Sequence, residues 1–180
     1  MSDPIHPQTR IGHVHLRVAE LPRALEFYQH VLGFGVFADL RPLGIPIAFL
    51  AAGDYHHHLA LNATETAGAT PAPAGHTGLH HIALVYPDKY ELAKAVKRLF
   101  EYSYPVTSAY DHQLTVSVFL RDPDGNGLEL YYDRPRSAWF DNAGRPILKN
   151  DPFDPRELLS ELNTPLPGLP TRKDAAHEAS

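Results

Sequence analysis

The sequence predicts an α+β protein made of two consecutive βαβββ modules, because one order of strand-like and helix-like patterns occurs twice. A shift of 68 residues, the distance from His13 to His81, also places Leu16 on Leu84. In both copies the first strand carries histidines. An internal duplication accounts for these coincidences.

The first module begins with a strand at residues 11–18, where apolar side chains alternate with polar ones such as His13 and His15. A helix follows, because Pro22 suits a first helical turn and apolar residues recur at helical spacing until Gly33. Breaking residues then separate three shorter strands. These strands are predicted at residues 34–39, 45–52 and 56–61.

The second module repeats this order. Its first strand, at residues 79–86, carries His80 and His81. Asp88 and Glu91 have the spacing of a capping box and predict the start of a helix. Three strands follow, and the turn sequence D-P-D-G-N-G joins the last two. They are predicted at residues 104–110, 114–121 and 127–133.

Changes in composition divide the chain into a domain and a tail. The predicted boundaries are 1–135 for a single domain, 11–62 and 78–135 for its two modules, 63–77 for an Ala/Thr/Pro/Gly-rich linker and 136–180 for a Pro-rich C-terminal extension. The extension has one helix candidate, at residues 155–162, and is expected to wrap or dock. Its last ten residues have little to bury and are expected to be disordered.

Charge and composition exclude several classes of protein. The 180 residues carry 16 Lys and Arg against 21 Asp and Glu, a net charge of −5, which argues against a basic nucleic-acid footprint. No apolar run approaches the roughly 20 residues of a membrane span. The chain has no cysteine, and its first ten residues lack the apolar core of a signal peptide. A cytoplasmic protein is therefore expected.

The 12 histidines are the most unusual feature of the composition. They are clustered on apolar strands, which indicates a built site better than it indicates surface decoration. The clusters are His13 with His15, His56 to His58, and His80 with His81, while His112 stands alone.

The strand patterns place three potential metal ligands on one side of the predicted sheet. If Leu128 and Leu130 pack on the helices, Glu129 faces the other side, as His13 and His81 do in their own strands. No Lys or Arg lies beside Glu129 on that face of its strand, so a divalent metal would supply its partner. Two imidazoles and a carboxylate match the facial triad of non-heme Fe(II) sites, and Zn(II) or Mn(II) suits the same set. Taken singly, each residue also suits an ordinary structural role.

Four stretches carry a resemblance to a known family: G-H-V-H-L-R-V-A-E-L-P-R-A-L-E-F-Y, Y-H-H-H-L-A-L-N, G-L-H-H-I-A-L and L-R-D-P-D-G-N-G-L-E-L-Y-Y-D-R-P. Over about residues 11–135 the chain resembles the vicinal oxygen chelate superfamily. The four stretches are most similar to its small catechol 2,3-dioxygenase-like extradiol branch. The resemblance implies paired modules that curl into a cup-shaped mixed sheet around a metal ion.

The resemblance also assigns site residues. It implies that His13, His81 and Glu129 are the metal ligands, with Fe(II) as the expected metal and Mn(II) or Zn(II) as alternatives. It gives His57 the role of acid–base residue and His112 that of a hydrogen-bonding partner for bound oxygen or substrate. The strand pattern alone does not select His57 from its two histidine neighbours.

His15, Phe119 and Tyr131 are expected to line the substrate pocket. The extradiol branch usually has a tyrosine where this sequence has Phe119, and a phenylalanine cannot donate a hydrogen bond to a substrate oxygen. Tyr110, Tyr131 or a water would have to replace it.

The resemblance thus implies a non-heme Fe(II) extradiol dioxygenase that cleaves a catechol-type aromatic diol with dioxygen. Its expected partners are small molecules, without nucleic acid or membrane, and unpaired sheet edges favour a homo-oligomer. Two alternatives are another metalloenzyme of the same fold, either a glyoxalase-like isomerase or a fosfomycin-resistance-type transferase, and a non-catalytic binding or resistance protein.

Overall fold

A computed structural model describes residues 3–73 and 75–163, and these fall into two compact units. The first unit comprises the described residues up to Gly78 together with Asp122–Asn126. The second comprises Leu79–Arg121 and the described residues from Gly127 onward. Each unit contains one mixed sheet.

The first unit has a four-stranded sheet with the order β1-β4-β3-β2. Strand β1 pairs in parallel with β4, and the other neighbours are antiparallel. The elements are β1 (Val14–Arg17), α1 (Leu21–Leu25) continued by a π-helical stretch (Glu26–Val31), β2 (Gly35–Asp39), a 3-10 helix (Arg41–Leu43), β3 (Ile47–Ala51) and β4 (Leu59–Asn62).

The alternation along β1 follows its two environments. Leu16 and the following Val18 are buried, whereas His15 and Arg17 are exposed. The helical segment that follows also has a buried side, on which Tyr28 is fully buried. The face of β1 that carries the histidine is therefore not part of the hydrophobic core.

The second unit has a five-stranded sheet with the order β5-β8-β7-β6-β9. The pair β5–β8 is parallel and the other neighbours are antiparallel. The elements are β5 (Ile82–Tyr86), α2 (Lys89–Glu101), β6 (Ser108–Asp111), β7 (Thr115–Arg121), β8 (Gly127–Asp133), a 3-10 helix (Arg136–Ala138), β9 (Asp151–Pro152) and a second 3-10 helix (Pro155–Asn163).

Helix α2 forms as the sequence predicts. The Asp88 side chain caps it by accepting a hydrogen bond of 2.8 Å from the Glu91 backbone N–H. Leu92, Val96 and Leu99 recur at helical spacing and are fully buried. The helix thus covers one face of the sheet and leaves the other face to β-strand side chains.

The predicted fold class and the repeated βαβββ order are confirmed, but several strands are shorter than predicted. His56 to His58 precede β4, and His13 and His81 each stand immediately before a strand. Strand β6 begins at Ser108 and not at Tyr104, and Pro105 in the preceding segment has no N–H to donate to a ladder. Among the described residues, no helix is both long enough and apolar enough to span a membrane.

The C-terminal extension contributes two elements that the sequence did not predict, namely the 3-10 helix Arg136–Ala138 and strand β9. Strand β9 has only two residues and pairs at the edge of the sheet with β6, where Pro152 is tolerated. The predicted helix at 155–162 is present as the 3-10 helix Pro155–Asn163. The predicted disorder of the last ten residues falls outside the described part of the chain.

Candidate metal centre

The duplication places the two predicted imidazole ligands at equivalent points of the two units. His13 stands immediately before β1, and His81 stands immediately before β5. The strands that follow them pair in parallel with β4 and β8. Each unit thus presents one histidine at the start of its first strand.

In the second unit, His81 meets the predicted carboxylate ligand. The distance from His81 Nε2 to Glu129 Oε2 is 3.0 Å, and the Glu129 side chain is only 14% exposed. The contact arises because β5 and β8 are parallel neighbours, with Ala83 opposite Glu129. Within the described residues, Glu129 forms no ion pair with a lysine or arginine, and its partner at this distance is the His81 imidazole.

The pair suits a metal in both chemistry and spacing. An imidazole nitrogen and a carboxylate oxygen are ordinary ligands of divalent iron, zinc and manganese. Two ligand atoms at right angles, each about 2.1 Å from an ion, are separated by about 3.0 Å. The 3.0 Å spacing of His81 and Glu129 is therefore compatible with two neighbouring coordination positions.

The structure does not gather a complete ligand set around one point. In residues 3–73 and 75–163, no group of three or more His, Asp or Glu side chains has an arrangement that could hold a metal ion. His13 belongs to the first unit, and His81 and Glu129 belong to the second. The three-ligand set of His13, His81 and Glu129 therefore stays a prediction.

Aromatic side chains surround the His81–Glu129 pair in the second unit. Phe119 lies opposite Glu129 in the β7–β8 ladder, and its ring meets that of His81 edge-on with centroids 5.8 Å apart. Tyr110 lies 6.2 Å from the Phe119 ring. Burial, and then the carboxylates of Asp133 and Glu129, raise the pKa of Tyr131 and keep this phenol protonated. The pair thus borders a surface made of aromatic rings.

His112 joins the same aromatic group. Its ring stacks on Tyr110 at 5.9 Å and lies 6.3 Å from Phe119. The C-terminal extension fixes its backbone and side chain: His112 Nδ1 lies 3.3 Å from the Lys149 carbonyl oxygen, and the Lys149 N–H donates to the His112 carbonyl. A proton on Nδ1 that bonds to this carbonyl would leave Nε2 as the ring's free acceptor.

The first unit gathers histidines before β1 and β4, and no carboxylate among its described residues forms an ion pair with them. The His57 ring lies 4.5 Å from that of His13, and its Nδ1 is 2.6 Å from Nδ1 of His56. Desolvation, and then repulsion from His13 and His56 when they are protonated, lower the pKa of His57. Phe49 packs on the same ring at 4.9 Å. His57 is thus a predominantly neutral imidazole near neutral pH.

The remaining predicted pocket residue, His15, is exposed on β1. Its electrostatic repulsion is one of the smaller causes that lower the pKa of His57. Two contacts of the site were missed by sequence reasoning, namely Phe49 against His57 and the Lys149 backbone against His112. The alternation of β3 signals Phe49, because its neighbours Ala48 and Leu50 are fully buried. Nothing in the sequence signals the contact with Lys149.

Comparison with known proteins identifies the class. The family model of the glyoxalase/bleomycin resistance protein/dioxygenase superfamily matches residues 10–130, and the chain belongs to this superfamily. A crystal structure of a glyoxalase/dioxygenase from Nostoc punctiforme has the same fold, with a TM-score of 0.61 and 19% identity over 75% of this chain and 99% of that one.

Two curated relatives represent two activities. A catechol-2,3-dioxygenase of Bacillus subtilis (strain 168) is 37% identical over 87% of this chain and 53% of its own length. This chain therefore spans about half the length of that relative. A lactoylglutathione lyase of Neisseria meningitidis (strain DSM 15465 / Z2491) is 32% identical over 67% of this chain and 88% of its own length.

Proposed function

We propose that this protein is a non-heme Fe(II) extradiol dioxygenase that cleaves a catechol-type aromatic diol. The observation that carries the proposal is the His81–Glu129 pair at 3.0 Å, bordered by the rings of Phe119 and Tyr110. The 37% identity to a catechol-2,3-dioxygenase over 87% of this chain supports the same reaction class.

His13, His81 and Glu129 would hold the metal ion. When bound, Fe(II) supplies coordination positions for two adjacent substrate oxygens and for dioxygen. The identity of the metal as Fe(II) is itself proposed, because Mn(II) or Zn(II) suits the same donor atoms. The aromatic surface beside the pair would receive the flat face of the substrate ring.

His57 is proposed as the acid–base residue. Its lowered pKa keeps the imidazole neutral near pH 7, so that it can accept the proton of a substrate hydroxyl. His112 would form a hydrogen bond with bound oxygen or substrate through Nε2, with its ring held by the Lys149 carbonyl at Nδ1. Phe119 contributes an apolar edge and no hydrogen bond.

A lyase or isomerase of the same superfamily is the second candidate. The 32% identity to a lactoylglutathione lyase favours it. A glyoxalase-like enzyme is expected to take a carboxylate ligand from the first module as well. Residues 56–61 contain no Glu or Gln, and the registers of β1–β4 and β5–β8 place Ala60 where the second module has Glu129. This absence favours the dioxygenase.

The test is anaerobic loading with Fe(II), followed by exposure to air with catechol, 4-methylcatechol and 2,3-dihydroxybiphenyl. We expect a yellow ring-opened product from at least one diol. Formation of no product from iron-loaded protein, together with conversion of the hemithioacetal of methylglyoxal and glutathione, would replace the dioxygenase with the lyase.

Variants test the ligand set directly. Glu129→Ala is expected to reduce bound iron at least tenfold and to abolish turnover, because it removes the carboxylate donor. His57→Ala is expected to retain iron and to lose most turnover. Glu101→Ala is the matched control, since this carboxylate lies on the exposed face of α2. Normal iron content in Glu129→Ala would remove this residue from the ligand set.

A further inference from the structure

His80 and His81 form a pair of neighbouring imidazoles immediately before β5. Their Nδ1 atoms lie 2.8 Å apart, and their rings meet edge-on with centroids 5.0 Å apart. Two imidazole nitrogens at this distance form a hydrogen bond when one carries a proton and the other offers a lone pair. The other ring nitrogen of His81, Nε2, lies 3.0 Å from Glu129 Oε2. His81 thus directs one nitrogen to the candidate metal centre and the other to His80.

Coordination of a metal ion would fix the direction of this hydrogen bond. Because Glu129 lies beside His81 Nε2, this nitrogen is the one that would coordinate an ion shared by the two side chains. A coordinated neutral imidazole carries its single proton on the other nitrogen, here Nδ1. His81 Nδ1 then donates and His80 Nδ1 accepts. Histidine ligands of metal ions almost always have such an acceptor, which holds the ring orientation and the tautomer.

The exposure of the His80 side chain suits the acceptor role. A neutral His80 that accepts at Nδ1 carries its own proton on Nε2. Since the side chain is exposed, water can accept from Nε2, and no buried donor is left without a partner. A water molecule could also accept from His81 Nδ1, but it would not restrain the His81 ring. His80 is attached to the adjacent backbone and therefore does.

The backbone that carries the two rings is held against β8. A Cβ at Gly127 would lie 2.3 Å from the His80 carbonyl oxygen and 3.1 Å from His81 Cβ, so the glycine permits an unusually close approach of the strands. The next residue, Ile82, pairs with Leu128 in the parallel ladder. Both histidines are therefore attached to a well-defined stretch of the second sheet.

The first unit has a glycine at the equivalent position. The shift of 68 residues that aligns His13 with His81 also aligns Gly12 with His80. A glycine has no side chain with which to orient a neighbouring ring. The histidine pair is thus a feature of the second module and not of the repeated pattern.

We propose that His80 is a positioning residue for the metal ligand His81. It accepts the proton of His81 Nδ1, which leaves His81 Nε2 free to coordinate beside Glu129. This role rests on the metal centre of the proposed function and gives a task to a histidine outside the ligand set. It is the same whether the reaction is that of a dioxygenase or of a lyase.

Two substitutions separate the acceptor from the imidazole ring. In His80→Asn the side-chain oxygen can take the place of Nδ1 and accept the same hydrogen bond, whereas His80→Leu offers no acceptor. Circular dichroism checks that both variants fold, as expected at an exposed position. His30→Leu is the matched control, because His30 is exposed in the first unit and pairs there with Glu26.

Zn(II) is the probe, because it is diamagnetic and keeps one oxidation state in air. Full-length protein with isotope-labelled histidine is titrated with Zn(II) near neutral pH, in competition with a chelator of known affinity. Occupancy is measured from the ring resonances of His81 in proton–nitrogen correlation spectra, so zinc bound to other histidines does not enter the measurement. The same spectra show which nitrogen of His81 carries the proton.

We expect His80→Leu to weaken zinc binding at His81 about tenfold, as loss of such a partner does in metalloproteins. His80→Asn and His30→Leu should bind zinc as tightly as the unaltered protein. The Nδ1 proton of zinc-bound His81 should be visible in the unaltered protein and in His80→Asn. In His80→Leu it should exchange with water too quickly to be observed.

Three results would each overturn the proposal: equal zinc affinity in His80→Leu and the unaltered protein, equal weakening in His80→Leu and His80→Asn, or coordination of zinc by His81 Nδ1. Glu129→Ala separates this failure from that of the proposed function. If Glu129→Ala weakens zinc binding at His81 and His80→Leu does not, only the positioning role is wrong. If neither variant weakens it, the proposed metal centre is wrong as well.

Discussion

The two units share one strand order but finish their sheets differently. In the first unit the sheet ends at β2, an edge strand on which Val36 and Phe37 are 38% and 63% exposed. In the second unit the corresponding strand, β6, is covered by β9. The extension thus adds a strand beside β6, whereas among the described residues of the first unit no strand is added beside β2. The homo-oligomer stays a prediction.

The two units also differ in the residues that they place near the candidate metal centre. Each has a histidine before its first strand, but the partner strand offers Ala60 in the first unit and Glu129 in the second. Ala60 is fully buried, and Glu129 contacts His81. The two units therefore share a backbone frame, and the strand position that carries Ala60 in the first unit carries in the second a carboxylate 3.0 Å from an imidazole.

The largest effect on stability is expected where the extension docks. Leu158→Ala removes a side chain that is 2% exposed, and loss of its contacts should lower the free energy of unfolding by about 2–5 kcal/mol. Leu148→Ala, at a position that is 78% exposed, should change it little. Urea denaturation measures both variants.

Hydrogen exchange then separates the two sheets. In Leu158→Ala, the amides of β6 should exchange faster because β9 no longer protects that edge, while those of β3 and β4 keep their rates. Equally faster amide exchange in β6, β3 and β4 would show that the extension does not protect the second sheet selectively.

A smaller effect is expected at the close approach of β5 and β8. A Cβ added at Gly127 would lie 2.3 Å from the His80 carbonyl oxygen, so Gly127→Ala must shift the backbone next to His81. The expected loss of stability is about 1–3 kcal/mol. In the first unit the equivalent position is His58, which shows that only the second unit needs a glycine there.

Gly78→Ala is the control for this substitution, because a Cβ at Gly78 meets no atom within 4 Å. Thermal denaturation of both variants is the measurement. Equal melting temperatures for Gly127→Ala and Gly78→Ala would contradict the close approach.

The turn between β7 and β8 is anchored within the first unit, and this anchor should have a modest effect. Tyr28 donates a buried hydrogen bond of 2.9 Å to Asp122, which also accepts from the backbone N–H groups of Asp124 and Asn126. Tyr28→Phe should cost about 1–2 kcal/mol in urea unfolding. Tyr102→Phe, at a 51% exposed position, serves as the control, and an equal effect in both would disprove the anchor.

The smallest effect concerns alkaline pH. Burial raises the pKa of Tyr86 in the second unit to about 12, against an ordinary value of 10.0. The folded protein then keeps a proton that the unfolded chain loses, so stability falls as pH rises from about 10 to about 12. Absorbance at 295 nm should show a late-ionising phenol that is missing in Tyr86→Phe. Identical titration curves for the unaltered protein and Tyr86→Phe would show that the phenol with the raised pKa is not Tyr86.

Local patterns were sufficient to predict much of the fold. The alternation around Leu16, the capping box at Asp88 and the turn before Gly127 each involve residues close in sequence, and the structure bears out the elements they predict. The contact of His81 with Glu129 agrees with the predicted common face within the second unit. Convergence with His13 stays a prediction, because nothing within either unit tests it.

The order of the modules, the Asp88 cap of α2 and the shared face of His81 and Glu129 could be predicted from the amino-acid sequence, because periodicity and capping depend on neighbours a few residues apart. The folded structure alone reveals that Lys149 holds His112 and that β9 covers β6. These features depend on contacts between residues far apart in the chain, and the two-residue strand that creates one of them has no periodicity to read.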